Sequence, residues 1–487
     1  LKDPDMLDTL HEAWRWLAAL PHLRLWLATA WGAYLLGLGA WIVLQKREPV
    51  ATLSWLLGLA ALPVVGLLVY QVFGPQKIKR HRLRRSRSRM PREATGLADG
   101  AHDEAAELAR LGAATTGLPP STARSVRLLV DGAATYEALL EAIRGAREHV
   151  HVEYYICAPD ETGHALLEAL VERARAGVKV RVLLDAVGSS KLRKRFLAPL
   201  LEAGGEFAWF HPSRFGKVWT RTWINMRTHR KIVVVDGRIG FTGGINVTDD
   251  ENDALRDDAY RDLHLRIEGD AVRALQVVFV EDWMYASGRR DLLAELSRDP
   301  PPRQAGAVAT QVLPSGPDSS WEAIHRMHVS AIHAARTRVW LATPYFVPGE
   351  AAKMALTSAA LGGLDVRVLV PRRSDTLLVT LAARSYFDEL LAAGVKVYEY
   401  GPRMLHTKAL LVDDEFALVG SANFDNRSFR LNFEVSVLFH DAGIAAQLAR
   451  LLAHDMAGAA PVREDRPQPL LRARLPEALA RLGSPLL

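Results

Sequence analysis

Cysteine is almost absent from this chain: Cys157 is the only one in 487 residues. That excludes an internal disulfide framework and any cysteine-based metal cluster. Cys157 follows the strand-like run Val150 to Ile156 and reads as a buried core thiol. No group of His, Cys and Asp has the spacing of a metal site, so neither metal nor other cofactor is expected. Acidic residues are missing from one stretch. Lys77, Lys79, Arg80, Arg82, Arg84, Arg85, Arg87, Arg89 and Arg92 follow one another with no carboxylate between them. The net charge of +6 is therefore misleading as a global property. Without this tract, 52 Lys and Arg face 55 Asp and Glu. One basic tract on a nearly neutral body argues against a nucleic acid partner. Long apolar runs are also missing after Arg92, so the remainder is expected to fold outside a bilayer.

The apolar residues of the N-terminal region are concentrated instead. Leu25 to Leu44 has no charged residue and includes Trp26, Trp31, Tyr34 and Trp41. One bilayer crossing needs about 20 apolar residues, which this run supplies. Lys46-Arg47-Glu48 interrupts, and Pro49 to Gln76 is again uncharged. Its core, Leu53 to Phe73, is long enough for a second span, kinked at Pro63. A signal peptide has a shorter apolar region and no second full-length run. The spacing predicts a multi-pass integral membrane protein. Basic residues beside a span stay in the cytoplasm, so the body after Arg92 is expected on the cytoplasmic side and the loop at Lys46 to Glu48 outside. The tract should also draw the body to anionic lipid, at about 1 kcal/mol per basic residue, unless it is only a solvated linker. Leu1 in place of Met leaves open whether it is the native start.

The body carries a repeat. His229-Arg-Lys231, four residues, Asp236, six residues and Gly243-Gly244-Ile-Asn246 recur as His406-Thr-Lys408, four residues, Asp413, six residues and Gly420-Ser421-Ala-Asn423. In an extended segment the His and Lys of each copy share a face. Ile232 to Val235 and Ala409 to Val412 then read as buried strands. A histidine with a lysine beside it suits attack on phosphorus: the imidazole is nucleophile or acid/base, and the ammonium neutralises phosphoryl oxygens. The repeat extends further. Tyr136 to Arg147 with His149 to Ile156 matches Trp321 to Arg336 with Arg338 to Ala342, and Gly177 to Asp185 matches Gly363 to Pro371. This helix–strand alternation predicts an α/β fold of two similar sandwich domains in tandem. The expected layout is 1–24 N-terminal segment, 25–76 hairpin with spans near 25–44 and 53–73, 77–120 basic tract and linker, 121–300 first domain, 301–320 junction, 321–460 second domain and 461–487 tail.

The doubled motif resembles that of the phospholipase D superfamily. Asn225-Met-Arg-Thr-His229, Tyr260-Arg-Asp262-Leu-His-Leu-Arg-Ile-Glu-Gly269, Thr343-Pro-Tyr-Phe-Val-Pro348, Asn426-Arg-Ser-Phe-Arg-Leu-Asn-Phe-Glu434 and the run Pro49 to Gly74 are similar to its bacterial cardiolipin synthase branch. The resemblance runs from about Arg47 to the C-terminus. It implies pseudo-twofold symmetry and one site shared by both motifs, with His229, Lys231, Asp236, His406, Lys408 and Asp413 as the catalytic motif residues. One histidine, assigned as His229, would form a phosphohistidine; the other, His406, would protonate the leaving alcohol and deprotonate the incoming one. Asn246, Asn423 and Ser421 would support phosphate. Asp262 and Glu434 are candidates to orient the histidines. An acid after a buried strand usually fixes a turn, so Asp236 and Asp413 read as structural supports. Gly244, where the second copy has Ser421, lacks a hydroxyl that could bind phosphate or support the nucleophile.

The segment Arg193 to Trp223 interleaves basic residues with Phe196, Trp209, Phe210, Phe215 and Trp219. It reads either as a lipid-interface segment or as core helix and loop. Tyr345 to Pro348 reads as a packed loop. The function implied is a transferase in the bacterial cell (inner) membrane that makes cardiolipin and glycerol from two phosphatidylglycerol molecules, with anionic membrane lipid as its partner. The alternative is a phospholipase D-type hydrolase, or a transferase using another donor or alcohol such as phosphatidylethanolamine. A nucleic-acid phosphodiesterase would share the motif, but the hairpin and the neutral body oppose it.

Overall fold

The computed structural model describes residues 22–44, 49–62, 65–67, 69–70, 74, 104–211, 225–289, 292 and 305–484. The chain divides into two units, Leu1–Pro75 and Gln76–Leu487.

In the first unit, Leu23–Leu44 forms one helix and Pro49–Ala61 another. Proline is favoured at the start of a helix because its missing N–H would have no partner there. Leu25–Leu44 is long and apolar enough to cross a membrane. Leu25, Trp26, Leu36 and Leu44 all point away from the unit's interior, and a helix apolar on every side is suited to lipid. Ile42, Leu59 and Tyr70 bury against one another, with Trp41 and Trp55 meeting the Tyr70 ring edge-on at 6.1 and 5.0 Å. Pro63 and the basic tract from Lys77 to Arg92 lie outside the described residues.

The second unit is built on two mixed sheets with one shared plan. The first runs Ser125–Val130, Leu263–Glu268, Ile239–Gly243, Ile232–Val235, His149–Tyr154, Lys179–Asp185, Glu206–Phe210. The second runs Val308–Ser315, Glu434–His440, Phe416–Gly420, Ala409–Val412, Arg338–Ala342, Asp365–Pro371, Lys396–Tyr400, extended at its two edges by Ser121–Ala123 and Ala460–Pro461. In both sheets the first four pairings are antiparallel and the last two parallel. Before the strands Lys179–Asp185 and Asp365–Pro371, Gly177 and Gly363 take φ of +85° and +93°, which let a helix stop and the chain turn into the sheet.

The strands after each His-x-Lys are central and wholly buried. Alternate side chains serve opposite faces. Ile232 and Val234 join Leu411 in a core shared by the two halves, whereas Val233 and Val235 pack under the first half's own helices. Leu410 and Val412 do the same in the second half. The shared core includes the equivalent helices Ala271–Ser287 and Ala442–Ala457, so the halves bury a common apolar face. Residues expected as linker contribute as well. Helix Glu104–Thr116 buries Ala105 and Leu108 in the second half's core, while Ser121–Ala123, expected to open the first domain, pairs in the second sheet with Val308–Thr310, expected as junction.

Both motif aspartates sit at the far ends of these strands, in left-handed backbone at φ of +51° for Asp236 and +53° for Asp413. The Asp236 carboxylate accepts the N–H groups of Arg147, Glu148 and His149 at 2.8–2.9 Å. Asp413 accepts those of Arg336, Thr337 and Arg338 at 2.8–3.0 Å and the Thr337 hydroxyl at 2.7 Å. Asp413→Ala and Asp236→Ala should each lower stability by about 1–3 kcal/mol, because three backbone donors lose their acceptor. Asn, which tolerates the same backbone and keeps one acceptor oxygen, should cost less. Thermal melting of the full chain checks this; an Asp236→Ala protein of unchanged stability but no activity would place the carboxylate in the chemistry.

Candidate active site

The two His-x-Lys segments lie just before their strands, in extended chain held by the opposite half. Thr228 forms a parallel bridge with Phe433, and Arg261 forms one with Leu405. His229 N–H donates to Phe433 O at 2.8 Å and Phe433 N–H to Arg227 O at 2.8 Å. On the other side His406 N–H donates to Arg261 O at 2.7 Å and Arg261 N–H to Met404 O at 2.8 Å. Each bridge fixes the register so that the next residue, Glu434 or Asp262, meets the histidine across it. His229 Nδ1 lies 2.9 and 3.0 Å from the two carboxylate oxygens of Glu434. His406 Nδ1 lies 2.6 Å from Asp262 Oδ2. Each half thus supplies the carboxylate that orients the other half's histidine. With Nδ1–H donated to a carboxylate, Nε2 carries the free lone pair.

The lysines are fully buried beside them. Lys231 Nζ donates to His229 O at 2.9 Å, and Lys408 Nζ donates to His406 O while standing 3.6 Å from Asp262. Burial, then repulsion from Lys408, lowers Lys231 to about 7, and burial lowers Lys408 as well. Burial lowers His229 to about 4 against the opposing pull of Glu434, and burial with Lys408 takes His406 well below its usual value. The four groups feel one another's charge, so the motifs form one site. Burial raises Asp262 to about 6 despite Lys408. Burial would raise Glu434 too, but His229, Lys231 and Ser421 hold it below the usual carboxylate range. Tyr155 lines the first side, its ring 5.1 Å from that of His229 and 5.7 Å from Lys231 Nζ; Tyr260 lies 5.6 Å from His406.

The Gly244/Ser421 difference has a local cause. Ser421 Oγ donates to Glu434 and accepts the Val435 N–H at 3.0 Å, so it serves the carboxylate. In the first half, Asp262 Oδ1 accepts the equivalent Leu263 N–H itself at 2.7 Å. A Cβ on Gly244 would lie 2.2 Å from that oxygen. Asp with Gly therefore fills the space that Glu with Ser fills opposite.

Sequence reasoning missed Glu251. It stands five residues after Asn246, where the second copy has Ser428 five after Asn423, and that shared spacing was the available signal. Glu251 accepts the Asn246 N–H and Nδ2 at 2.8 and 2.7 Å, whereas Ser428 Oγ accepts the Asn423 N–H at 3.2 Å. Glu251 also lies 3.9 Å from His406 Nδ1, which gives His406 two neighbouring carboxylates. Ligand atoms of Glu251, Asp262 and His406 fall within 4.8 Å of one another. That trio could hold a cation in principle, but both acids are committed to Asn246 and His406, and Lys408 Nζ lies against Asp262. Arg230 was missed too. It points away from the site, into Asp282, Glu434 O and Ser315 O, and ties the halves together.

The turns put Asp236 and Asp413 at the opposite ends of four-residue strands from the lysines, away from both histidines. In the segment after Arg193, Phe196 and Trp209 pack on the first half's core and Phe210 is fully buried against Phe433 at 5.1 Å. Phe215 and Trp219 lie outside the described residues.

The family described as "Cardiolipin synthase, PLD-like domain" matches residues 139–283 and 329–456, and "Phospholipase_D-nuclease N-terminal" matches 35–75. A cardiolipin synthase of Geobacillus sp. (strain WCH70) is 40% identical over 461 residues, covering 92% of this chain and 91% of that protein. Cardiolipin synthase 2 of Bacillus anthracis is 38% identical over 92% of this chain and 89% of its own. Among solved structures, a phosphatidylserine synthase of Haemophilus influenzae Rd KW20 aligns with a TM-score of 0.60, at 16% identity, over 78% of this chain and 100% of that one. That likeness bears on the fold, and agrees with tandem phospholipase D-like α/β domains. The matches across both halves and the identity over nearly the whole length lead to one conclusion: this chain belongs to the cardiolipin synthase family, enzymes that transfer phosphatidyl groups with paired phospholipase D-like domains.

Proposed function

We propose that the protein makes cardiolipin and glycerol from two phosphatidylglycerol molecules through a phosphohistidine on His229. The reading rests most on the reciprocal pairing of two histidines with two carboxylates around two buried lysines. His229 Nε2 attacks the donor phosphorus as the bond to the glycerol oxygen breaks, and His406, which must carry a proton on Nε2 for this step, gives it to that oxygen. Neutral His406 then takes the proton of a second phosphatidylglycerol hydroxyl, whose oxygen displaces His229 from phosphorus. Lys231 and Lys408 offset charge on the phosphoryl oxygens, aided by Asn246 and Asn423. The second carboxylate beside His406, Glu251, favours that residue as the one that holds and releases a proton. The N-terminal unit is read as two spans, with the body on the cytoplasmic face of the bacterial membrane.

Water, at about 55 M, competes for the phosphohistidine unless the site mouth is closed to it. An acceptor confined to the same leaflet gains effective concentration. The full chain in phosphatidylglycerol bilayers should therefore release mainly glycerol and form cardiolipin with little phosphatidic acid, and excess glycerol should drive the reverse reaction. Chiefly phosphatidic acid would establish the hydrolase alternative.

Phosphate recognition should also depend on pH. An anion needs Lys231 protonated, and burial with Lys408 beside it holds that lysine at about 7. A bound anion raises its pKa, so binding takes up a proton once the pH exceeds about 7. Inhibition by sulfate, whose charge is constant over this range, should weaken as pH rises above 7; affinity independent of pH from 6 to 9 would contradict a lysine tuned in this way.

A further inference from the structure

A basic pocket of about 440 Å³ opens where the strand Asp365–Pro371 ends, lined by Arg372, Arg373, Ser374, Leu377, Thr380 and Arg384. Arg384 is engaged by Glu399 and by Arg372 O. Arg372 and Arg373 are exposed, and among the described residues no carboxylate pairs with either. Next to them, at the start of helix Leu377–Arg384, Leu377 and Leu378 are 73% and 49% exposed. Two guanidinium groups free of carboxylate partners stand beside two leucines that leave apolar surface in water. They match a lipid leaflet, where phosphate lies directly above hydrocarbon.

The patch adjoins the active site through short contacts. Ser374 Oγ donates to Asp375 at 3.0 Å, and Tyr345 OH donates to the same carboxylate at 2.7 Å. After burial, Asp375 is the largest influence raising the Tyr260 phenol to about 12, and Tyr260 lies against His406. Tyr345 leads into the strand Phe346–Val347, which pairs with Phe424–Asp425 directly after Asn423.

We infer that Arg372–Leu378 is a membrane-seating segment on the His406 side of the site: Arg372 and Arg373 bind phosphates of anionic phospholipid, and Leu377 and Leu378 enter the acyl region. This inference rests on the reading of the site as one that takes its substrate from a bilayer. It commits to lipid in the leaflet, not to free phosphate.

The sole native cysteine makes the test clean, because Cys157 is buried and burial pushes its thiol up to about 12. The full chain carrying Leu377→Cys, labelled with a polarity-sensitive fluorophore, is reconstituted into vesicles of phosphatidylcholine with or without phosphatidylglycerol. Leu361→Cys is the reference position. It is 73% exposed and precedes the same strand at its other end, about 20 Å away by strand length. Nitroxide-bearing acyl chains should quench the label at 377 in phosphatidylglycerol vesicles and leave the label at 361 unaffected. Adding Arg372→Ala and Arg373→Ala should weaken the segment's partition into the leaflet by roughly 30-fold, the effect of losing two basic side chains at an anionic surface. A label at 377 as open to aqueous iodide as the one at 361 would overturn the proposal, and so would equal acyl-chain quenching in pure phosphatidylcholine. The readout reports position, whichever product the enzyme releases. A wrong product assignment would leave the quenching intact, whereas loss of quenching with cardiolipin still formed would remove this inference alone.

Discussion

The site depends on a pair of backbone exchanges between the halves. At each, one extended segment bridges the other half by one residue, and the following residues meet as carboxylate and imidazole. A slip of one residue would turn the side chains to the opposite face and separate His229 from Glu434 and His406 from Asp262. The shared apolar core and the Arg230 contacts to Glu434 O and Ser315 O hold the halves in that register, with Asp282 of its own half steadying the guanidinium. Neither half has a complete site alone, because the acid of each dyad belongs to the other.

That arrangement burdens stability in favour of chemistry. Two lysines and two histidines are buried together, and burial lowers the pKa of all four. In the proposed mechanism a phosphodiester anion relieves that cost by giving the ammonium groups a partner. The donors are already in place when charge develops in the transition state, which is how a preorganised site lowers a barrier. The two sides are alike in plan but unequal in charge: among the described residues, His406 has Asp262 and Glu251 within 4 Å and His229 has Glu434. The proposed division of nucleophile from acid/base rests on that inequality, which the near-identical motifs do not show.

The repeat, the buried strands after each motif and the α/β alternation were legible because they are local: four apolar residues in a row, a glycine before a strand, fixed spacings. Glu434 and Asp262 could be named as orienting acids from the resemblance, but not which histidine each serves, since the pairing is made by long-range bridges. Gly244 looked like a lost hydroxyl because the sequence hides the shorter reach of Asp262, whose carboxylate occupies that space. Glu251 escaped notice because its counterpart is a serine. Arg230 lies between two motif residues, and nothing local shows that it points into the other half. Helix Glu104–Thr116 was read as linker; its apolar spacing is short, and its stability comes from packing on the second half.

The account's central claim is that each dyad is assembled across the halves with unlike roles, and trapping the phosphorylated enzyme in Glu434→Gln and Asp262→Asn variants tests it most directly. Removing the Glu434 charge lowers the basicity of His229 further, so phosphoenzyme formation should be lost. Asp262→Asn impairs His406 instead, and label should build up slowly on His229 because the incoming hydroxyl is poorly deprotonated. Label lost in Asp262→Asn but accumulating on His406 in Glu434→Gln would contradict the assignment.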